Sequence, residues 1–472
     1  MKSATGCALG LLLLARLAIS QDSQGCGNVT ISSSADADAI RKSCKTITGN
    51  VAFSESFARS PTDVSLDGVE VIEGNIWHDT HDDLVWCGEP TVAQPTDCPG
   101  PWSLSSGTLR EVGGNIYTWA FPGLWRVSLP SLQRVGKAFS LNRMNYLREL
   151  DVTALEVVES FTLGAEVLEK FSLKELKAFS GPRNGWVNLY GGGKVEDFDG
   201  LFRANLDPWH GWTGDGPDVG SFMASNTGTQ INAPSIKRLT FGWRRIPSLR
   251  VMTESDVTFV LGGPNSTEVE IGELHLGYGV RKVERGETVK KLSVGLFELR
   301  NAARMETLDL PFDQLGTLEV RESNALTRVV LPAQAEDWKD WSVQITGSPN
   351  VDMKSEYADE AKTKKTWYWP KGDIESIWLS GNISTDFFAS FLQQRSGPSP
   401  PQVKTFALSD TSGELDCGVF KEAQTKSGNK TFTGDYYECY SVKNAAYKSL
   451  PGGLLWQVVL AAGAVVALTM AV

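Results

Sequence analysis

The sequence Leu109-Arg110-Glu111-Val112-Gly113-Gly114-Asn115-Ile116 places three apolar residues around a glycine turn. The same pattern occurs upstream from Val69 to Ile76 and downstream from Leu132 to Phe139. The first residues of four successive copies, of which the last two are looser, are Leu109, Leu132, Leu155 and Leu176. They are 23, 23 and 21 residues apart. A period of this length is typical of leucine-rich and β-helical coils.

Short triplets with apolar first and third residues accompany this repeat. They are Val127–Leu129, Leu150–Val152, Phe171–Leu173, Leu239–Phe241, Leu274–Leu276, Leu292–Val294, Leu308–Leu310 and Leu318–Val320. Side chains alternate along a strand, so the outer members of each triplet share a face, and one strand per coil stacks into a parallel sheet. We therefore predict a mostly β protein, a parallel β-helix or leucine-rich-repeat-like solenoid with right-handed coils.

Helical signals are few in this sequence. The clearest segments are Ser34 to Ser43, where Asp36 or Asp38 is the expected cap, and Asp386 to Arg395.

Both ends of the sequence predict processing in the secretory pathway. Residues 1–20 combine a basic residue, an apolar run and the small residues Ala18 and Ser20, as a signal peptide does. After Asn444 comes a polar spacer and then an uncharged apolar segment within residues 445–472, which is the layout of a GPI-attachment signal. We expect Asn444 to carry the glycolipid. The alternative is an ordinary C-terminal membrane anchor.

Six cysteines lie outside the predicted signal peptide. They are Cys26, Cys44, Cys87, Cys98, Cys417 and Cys439. An even number in a secreted chain predicts disulfides, and six cysteines allow fifteen connectivities. These six form three sequence-local couples, so local pairing is the simplest interpretation. The couple Cys87 and Cys98 lies in an insertion that lengthens one interval of the repeat, from Val69 to Leu109, to 40 residues.

Glycosylation motifs and charge agree with an extracellular location. Four N-x-Ser/Thr motifs predict N-glycosylation at Asn28, Asn265, Asn382 and Asn429. The formal net charge is −11 and no basic stripe is present, so nucleic acid is not an expected partner.

Three local segments carry a family resemblance. They are Cys26–Cys44 followed by Ile47–Val51, Leu239–Trp243 with Ile246–Leu249, and Cys417–Phe420 with Gly434–Cys439. Through them the chain resembles the fungal GPI-anchored cell-wall organisation proteins, which are built from repeats similar to the L-domains of growth-factor receptors. The resemblance implies two L-domain-like lobes, a role in wall integrity and no established catalytic residues. The chain differs from the family because it lacks a Ser/Thr-rich stalk before Asn444. This difference leaves open whether the protein stays on the membrane or is transferred to the wall.

The expected domain organisation follows from the repeat and the resemblance. It comprises a signal peptide at 1–20, a first lobe with an N-terminal disulfide cap at 21–204, an irregular Trp- and Gly-rich junction at 205–230, a second lobe at 231–410, a C-terminal disulfide cap at 411–444 and a GPI propeptide at 445–472.

Catalytic motifs are not found in the sequence. It contains no G-x-S-x-G, H-E-x-x-H, P-loop or C-x-x-C element, and we predict no enzymatic activity, cofactor or metal. The cluster from His78 to Asp83 has the residue types of a divalent metal site, but a solvated loop is the favoured interpretation. Glu196, Asp197 and Asp199 have the residue type of glycosidase acids, although Phe198 and Gly200 indicate an ordinary turn.

Tryptophans in local groups are the best indication of binding. Indole rings stack on the apolar faces of sugars, although packing inside the solenoid is the alternative. We select Trp209 and Trp212 as candidate glycan-stacking residues. The predicted function is a GPI-anchored, non-catalytic glycoprotein of the outer membrane leaflet or wall that binds wall polysaccharide or glycoproteins. The alternatives are a wall-remodelling glycoside hydrolase or transglycosylase and a protein-binding adhesin or receptor-like module.

Overall fold

The structure, a computed structural model, describes residues 26–78, 100–121, 123–180, 186–191, 193–204, 229–232, 236–396, 399–428 and 430–442. The protein is mostly β, with 45% strand and 13% helix, and its strands form a parallel β-solenoid of about 11 turns. This confirms the prediction of a mostly β protein that forms a parallel solenoid.

The strands of the described residues are β1 Val29–Ile31, β2 Thr46–Ile47, β3 Val51–Phe53, β4 Val64–Ser65, β5 Val71–Ile72, β6 Ile76–His78, β7 Trp102–Ser105, β8 Glu111–Val112, β9 Ile116–Trp119, β10 Leu124–Ser128, β11 Arg134–Val135, β12 Ala138–Asn142, β13 Glu149–Asp151, β14 Val157–Val158, β15 Ser160–Ala165, β16 Lys170–Ser172, β17 Ala178–Phe179, β18 Trp186–Gly191, β19 Thr229–Asn232, β20 Arg238–Phe241, β21 Arg245–Leu261, β22 Glu268–Arg285, β23 Lys291–Arg300, β24 Thr307–Asp309, β25 Gln314–Arg321, β26 Arg328–Val330, β27 Trp341–Thr346, β28 Asp352–Met353, β29 Ile374–Ile383, β30 Val403–Asp410 and β31 Phe432–Ser441. The α-helices are α1 Ser34–Ser43, α2 Glu55–Arg59, α3 Asp199–Phe202, α4 Ala389–Arg395 and α5 Gly418–Lys426, and 3₁₀ turns span Ala333–Asp337 and Thr385–Phe388.

One long sheet, here called the main sheet, runs along the solenoid. Its order is β1, β3, β6, β9, β12, β15, β18, β19, β21, β22, β23, β25, β27, β29, β30 and β31, and each neighbouring pair is parallel. β18 pairs with β19 and β19 with β21, so the main sheet continues from the first half of the chain into the second. The predicted division into two lobes is therefore not confirmed. Most of the expected junction, residues 205–228, lies outside the described residues.

The two halves complete their coils differently. In the first half, β4, β7, β10, β13 and β16 form a second sheet, and β2, β5, β8, β11, β14 and β17 form a third. In the second half, β21 pairs with β19 through Leu249–Val251 and with β20 through Thr258–Leu261. One long strand therefore serves two sides of a coil.

The repeat residues fill the interior of the solenoid. Leu109, Val112 and Ile116 are buried, as the apolar pattern predicted. Phe139 stacks on Phe161 of the next coil, with ring centroids 5.1 Å apart and planes 3° from parallel. Equivalent residues of successive coils thus pack on one another, which is how a solenoid forms a continuous core.

A ladder of asparagines follows the glycine turns in the first half. The side-chain Oδ1 of Asn28 accepts hydrogen bonds from the backbone N–H and from Nδ2 of Asn50. In the same way, the Oδ1 of Asn50 accepts from both groups of Asn75, and the Oδ1 of Asn75 accepts from both groups of Asn115. The Asn115 Oδ1 accepts from the backbone N–H of Ala138. This ladder satisfies turn amides that the sheet leaves unpaired. A Cβ on the neighbouring Gly74 would lie 2.4 Å from the Gly49 carbonyl oxygen, so the turn requires glycine there.

Helices and disulfides lie at both ends of the described solenoid. Cys26–Cys44 and Cys417–Cys439 are bonded, each with 5.7 Å between Cα atoms, which fits the expected local pairing. Cys87 and Cys98 lie outside the described residues. α1 has the predicted bounds, but its N-cap is Ser33 rather than Asp36 or Asp38, and the carboxylate of Asp36 accepts from the backbone N–H of Ser32.

The other predicted helix, Asp386–Arg395, is a 3₁₀ turn followed by α4. Among the helices in the described residues, none has both the length and the apolar composition needed to cross a bilayer.

Candidate functional site

Strand register aligns one position from each strand of the main sheet in a single row. Each residue of this row is the register partner of the next: Ala52, Trp77, Tyr117, Ser140, Thr162, Asn188, Gln230, Arg250, His275, Glu298, Glu319, Gln344, Trp378, Ala407 and Glu438. Aromatic residues stand near both ends of the row, and charged residues lie between them.

The first aromatic group, the N-terminal platform, consists of Trp77, Tyr117 and Trp119. These side chains are 36%, 45% and 39% exposed. Trp77 and Tyr117 are register partners on neighbouring strands, which places their backbones about 4.8 Å apart. The guanidinium of Arg143 lies over the Trp119 ring, 4.9 Å from its centroid. The arrangement presents large apolar rings to solvent, with a cation beside them.

This platform follows from the repeat itself. Ile76 and Ile116 point into the core, and residues alternate along a strand, so Trp77 and Tyr117 point outward. The sequence prediction missed both residues, although the alternation after each glycine turn was the signal that identifies them.

The charged part of the row is centred on His275. Its Nδ1 lies 2.6 Å from an Oε2 of Glu298 on the next strand, and its Nε2 lies 3.2 Å from Glu273. Ionised carboxylates only accept hydrogen bonds, so this geometry favours the protonated imidazole, in which both ring nitrogens donate. The cluster is therefore a bridge between two strands made by one cation and two anions.

The pKa values follow from these contacts. Burial alone disfavours the charged ring, but hydrogen bonds with Glu298 and Glu273 outweigh it, so the pKa of His275 is raised. The hydrogen bond from His275 lowers the pKa of Glu298 despite its partial burial. Glu298 is consequently ionised at neutral pH.

A second aromatic group, the C-terminal platform, is formed by Trp378 on β29 and Tyr436 on β31. Their side chains are 42% and 43% exposed, and their rings are stacked with centroids 5.5 Å apart and planes 12° from parallel. The strand between them, β30, places Ala407 beside Trp378 and Thr405 beside Tyr436.

The tryptophan groups noted in the sequence differ in position. Trp338, Trp341, Trp367 and Trp369 are buried and pack as one cluster, so these residues are core. The selected candidates, Trp209 and Trp212, lie outside the described residues.

The acidic candidates form a turn. The carboxylate of Asp197 accepts from the backbone N–H of Asp199, and Glu196 pairs with Lys237 at 2.8 Å. Phe198 between them is buried, as expected for a coil-closing turn. Burial raises the pKa of Asp199.

The candidate metal cluster is only partly described. His78 is buried and its ring stacks on Phe121 at 4.3 Å, whereas residues 79–83 lie outside the described residues. Among the side chains that the structure describes, no group of three or more His, Cys, Asp or Glu is arranged to hold a metal ion.

Three predicted glycosylation sites fall within the described residues. Asn28 and Asn265 are exposed, and Asn382 is half-buried at the end of β29. Asn429 and Asn444 lie outside the described residues. Modification at all of these positions stays a prediction.

Comparison of the chain with protein-family models, with curated proteins and with solved structures finds no match.

Proposed function

We propose that this protein is a non-catalytic extracellular glycoprotein that binds neutral cell-wall polysaccharide through the N-terminal platform. In this proposal a GPI anchor at Asn444 holds the protein at the outer membrane leaflet or delivers it to a fungal wall. The segments 21–204 and 231–410 would be two L-domain-like units stacked end to end on the main sheet. Wall glycoproteins are a second class of partner with the same exposed sugars.

The observation that carries this proposal is the exposure of Trp77, Tyr117 and Trp119 on neighbouring strands. Large aromatic rings usually pack in the core, as the buried tryptophans of this protein do. A flat surface of indole and phenol rings offers the apolar contact that a pyranose ring accepts, while polar neighbours are available to its hydroxyls. The chemistry therefore favours a sugar polymer over a nucleic acid, since the chain has a net charge of −11.

The extracellular location is supported by independent features of the chain. A local disulfide lies near each end of the described residues, and four N-glycosylation motifs occur along the chain. The resemblance to wall-organisation proteins, carried by the terminal cysteine segments and the central Leu239–Trp243 phrase, supports the same location.

A hydrolytic role is less well supported. The acid–base cluster at the centre of the row is His275 with Glu273 and Glu298. A glycosidase general acid must hold its proton near neutral pH, whereas the pKa of Glu298 is lowered. The cluster therefore favours a structural ion pair.

Co-sedimentation tests the proposal directly. The purified glycoprotein is mixed with insoluble β-glucan or chitin, and bound protein is compared with the double variant Trp77→Ala/Tyr117→Ala. Loss of two stacking contacts of about 0.5–1.5 kcal/mol each predicts a decrease in affinity of about tenfold. Tyr278→Ala is the matched control, because Tyr278 is an exposed aromatic of the main sheet outside the platform.

Unchanged binding by the double variant would show that the N-terminal platform does not bind the polysaccharide. Release of reducing sugars from either polymer by the unaltered protein would instead favour the hydrolase alternative.

A further inference from the structure

We propose that one long, uncharged and unbranched polysaccharide chain lies along the main sheet, across its strands, and contacts both aromatic platforms. This inference rests on the proposed function and extends it, because it assigns a second sugar-stacking site to Trp378 and Tyr436 and specifies the form of the ligand.

The two platforms are collinear. Tyr117 and Trp378 belong to the same register row, separated by ten strand-to-strand steps from β9 to β29. At about 4.8 Å per step the separation is about 48 Å. A ligand that follows the stacking direction of the coils therefore passes from one platform to the other, over small or polar side chains that are nearly buried, such as Ser140, Thr162 and Asn188.

The C-terminal platform has the same chemical character as the first. Trp378 and Tyr436 are both more than two-fifths exposed, although their rings already stack on one another. Tyr440, four residues after Tyr436 on β31, is 40% exposed. Each platform thus places aromatic rings from two strands on the same outward face.

The surface between the platforms indicates the ligand's charge. Glu273 and Glu298 flank His275, and Glu319 pairs with Arg321 at 2.8 Å. The cation Arg250 is the register partner of His275, so charges of both signs lie close together here. A polyion of either sign would therefore meet groups of its own sign, and a lipid or an apolar peptide would desolvate these charges without compensation. The hydroxyls of a neutral polysaccharide donate hydrogen bonds to carboxylates. Charge and polarity together select the neutral polymer.

The two platforms are weak binding sites on the protein, and they strengthen each other when both bind the same polysaccharide chain. Once a long chain is bound at one platform, its other part is held at high effective concentration near the second. A chain much shorter than about 48 Å engages only one platform at a time. Affinity per chain should therefore rise steeply once the ligand exceeds this length.

The test uses linear β-glucan fractions whose extended lengths are well below and well above about 48 Å. Dissociation constants are measured by calorimetry for the full glycoprotein and for Trp378→Ala/Tyr436→Ala, with Tyr278→Ala as the matched control. We expect the long fraction to bind the unaltered protein at least about tenfold more tightly, and the double variant to lose this advantage. Short-fraction binding through Trp77 and Tyr117 should persist in the variant.

The outcomes separate the two proposals. If the short fraction binds in a Trp77-dependent manner and the variant retains the full length dependence, the second site is refuted and the proposed function stands. If neither fraction binds the unaltered protein, both proposals fail. Circular dichroism and thermal unfolding of each variant verify that the fold is intact.

Discussion

Replacing Asn75 with alanine is expected to destabilise the first half of the solenoid more than the same change at the end of the ladder. Asn75 occupies an internal position, donating from Nδ2 to Asn50 at 2.8 Å and accepting from the backbone N–H and Nδ2 of Asn115 at 2.7 and 2.9 Å. Asn28 is the exposed first member and only accepts, from the two donors of Asn50.

The magnitude follows from the hydrogen bonds removed. Asn75→Ala deletes three and leaves the half-buried amide of Asn115 without its side-chain acceptor. At about 0.5–1.5 kcal/mol for each hydrogen bond, the expected loss is about 2–4 kcal/mol. Asn28→Ala deletes two bonds at a solvent-exposed end, where water replaces the acceptor, so we expect about 1 kcal/mol or less.

Denaturant unfolding and amide hydrogen exchange measure this difference. Coils contact mainly their neighbours, so exchange of the Asn115 amide should accelerate in Asn75→Ala, whereas that of β23 should not. Asn75→Gln is a useful third variant, because it keeps the amide oxygen and nitrogen but moves them one methylene group further from the backbone. Equal midpoints for the Asn75→Ala and Asn28→Ala proteins would refute the claim that the internal ladder stabilises the coils.

Three further predictions concern other parts of the molecule. The pKa of His275 is raised in the folded state, so the ion pair contributes its full stability below the ordinary histidine pKa of 6.5 and loses it as the pH rises through the folded-state pKa. His275→Gln should therefore lower the free energy of unfolding more at pH 5.5 than at pH 8.5. Urea midpoints that show the same decrease at both pH values would contradict this. Asp410→Ala should cost about 2–4 kcal/mol, because the carboxylate accepts from Gly413 N–H and Ser441 Oγ and so links β30 to β31, and increased exchange in β31 is the local readout. Cys417→Ser/Cys439→Ser should lower stability by about 2–4 kcal/mol and expose β31 to proteolysis while β9 stays protected, whereas uniform loss of protection would indicate all-or-none unfolding.

The fold class could be predicted because its signal is local. Spacing of Leu109, Leu132 and Leu155 sets the length of a coil, and each predicted triplet coincides with or overlaps a strand. The same alternation places Trp77 and Tyr117 outward, so the N-terminal platform could be predicted from the sequence, although the pair selected there was Trp209 and Trp212.

Tertiary structure decided the relations between residues that are distant in sequence. His275 meets Glu298 because β22 and β23 pair in one register, and a shift by one residue would turn either side chain to the opposite face. Trp378 and Tyr436 stack across an intervening strand, and β18 pairs directly with β19, more than 35 residues later in the chain. Periodicity determines what each coil buries, whereas packing between coils determines which outward side chains become neighbours.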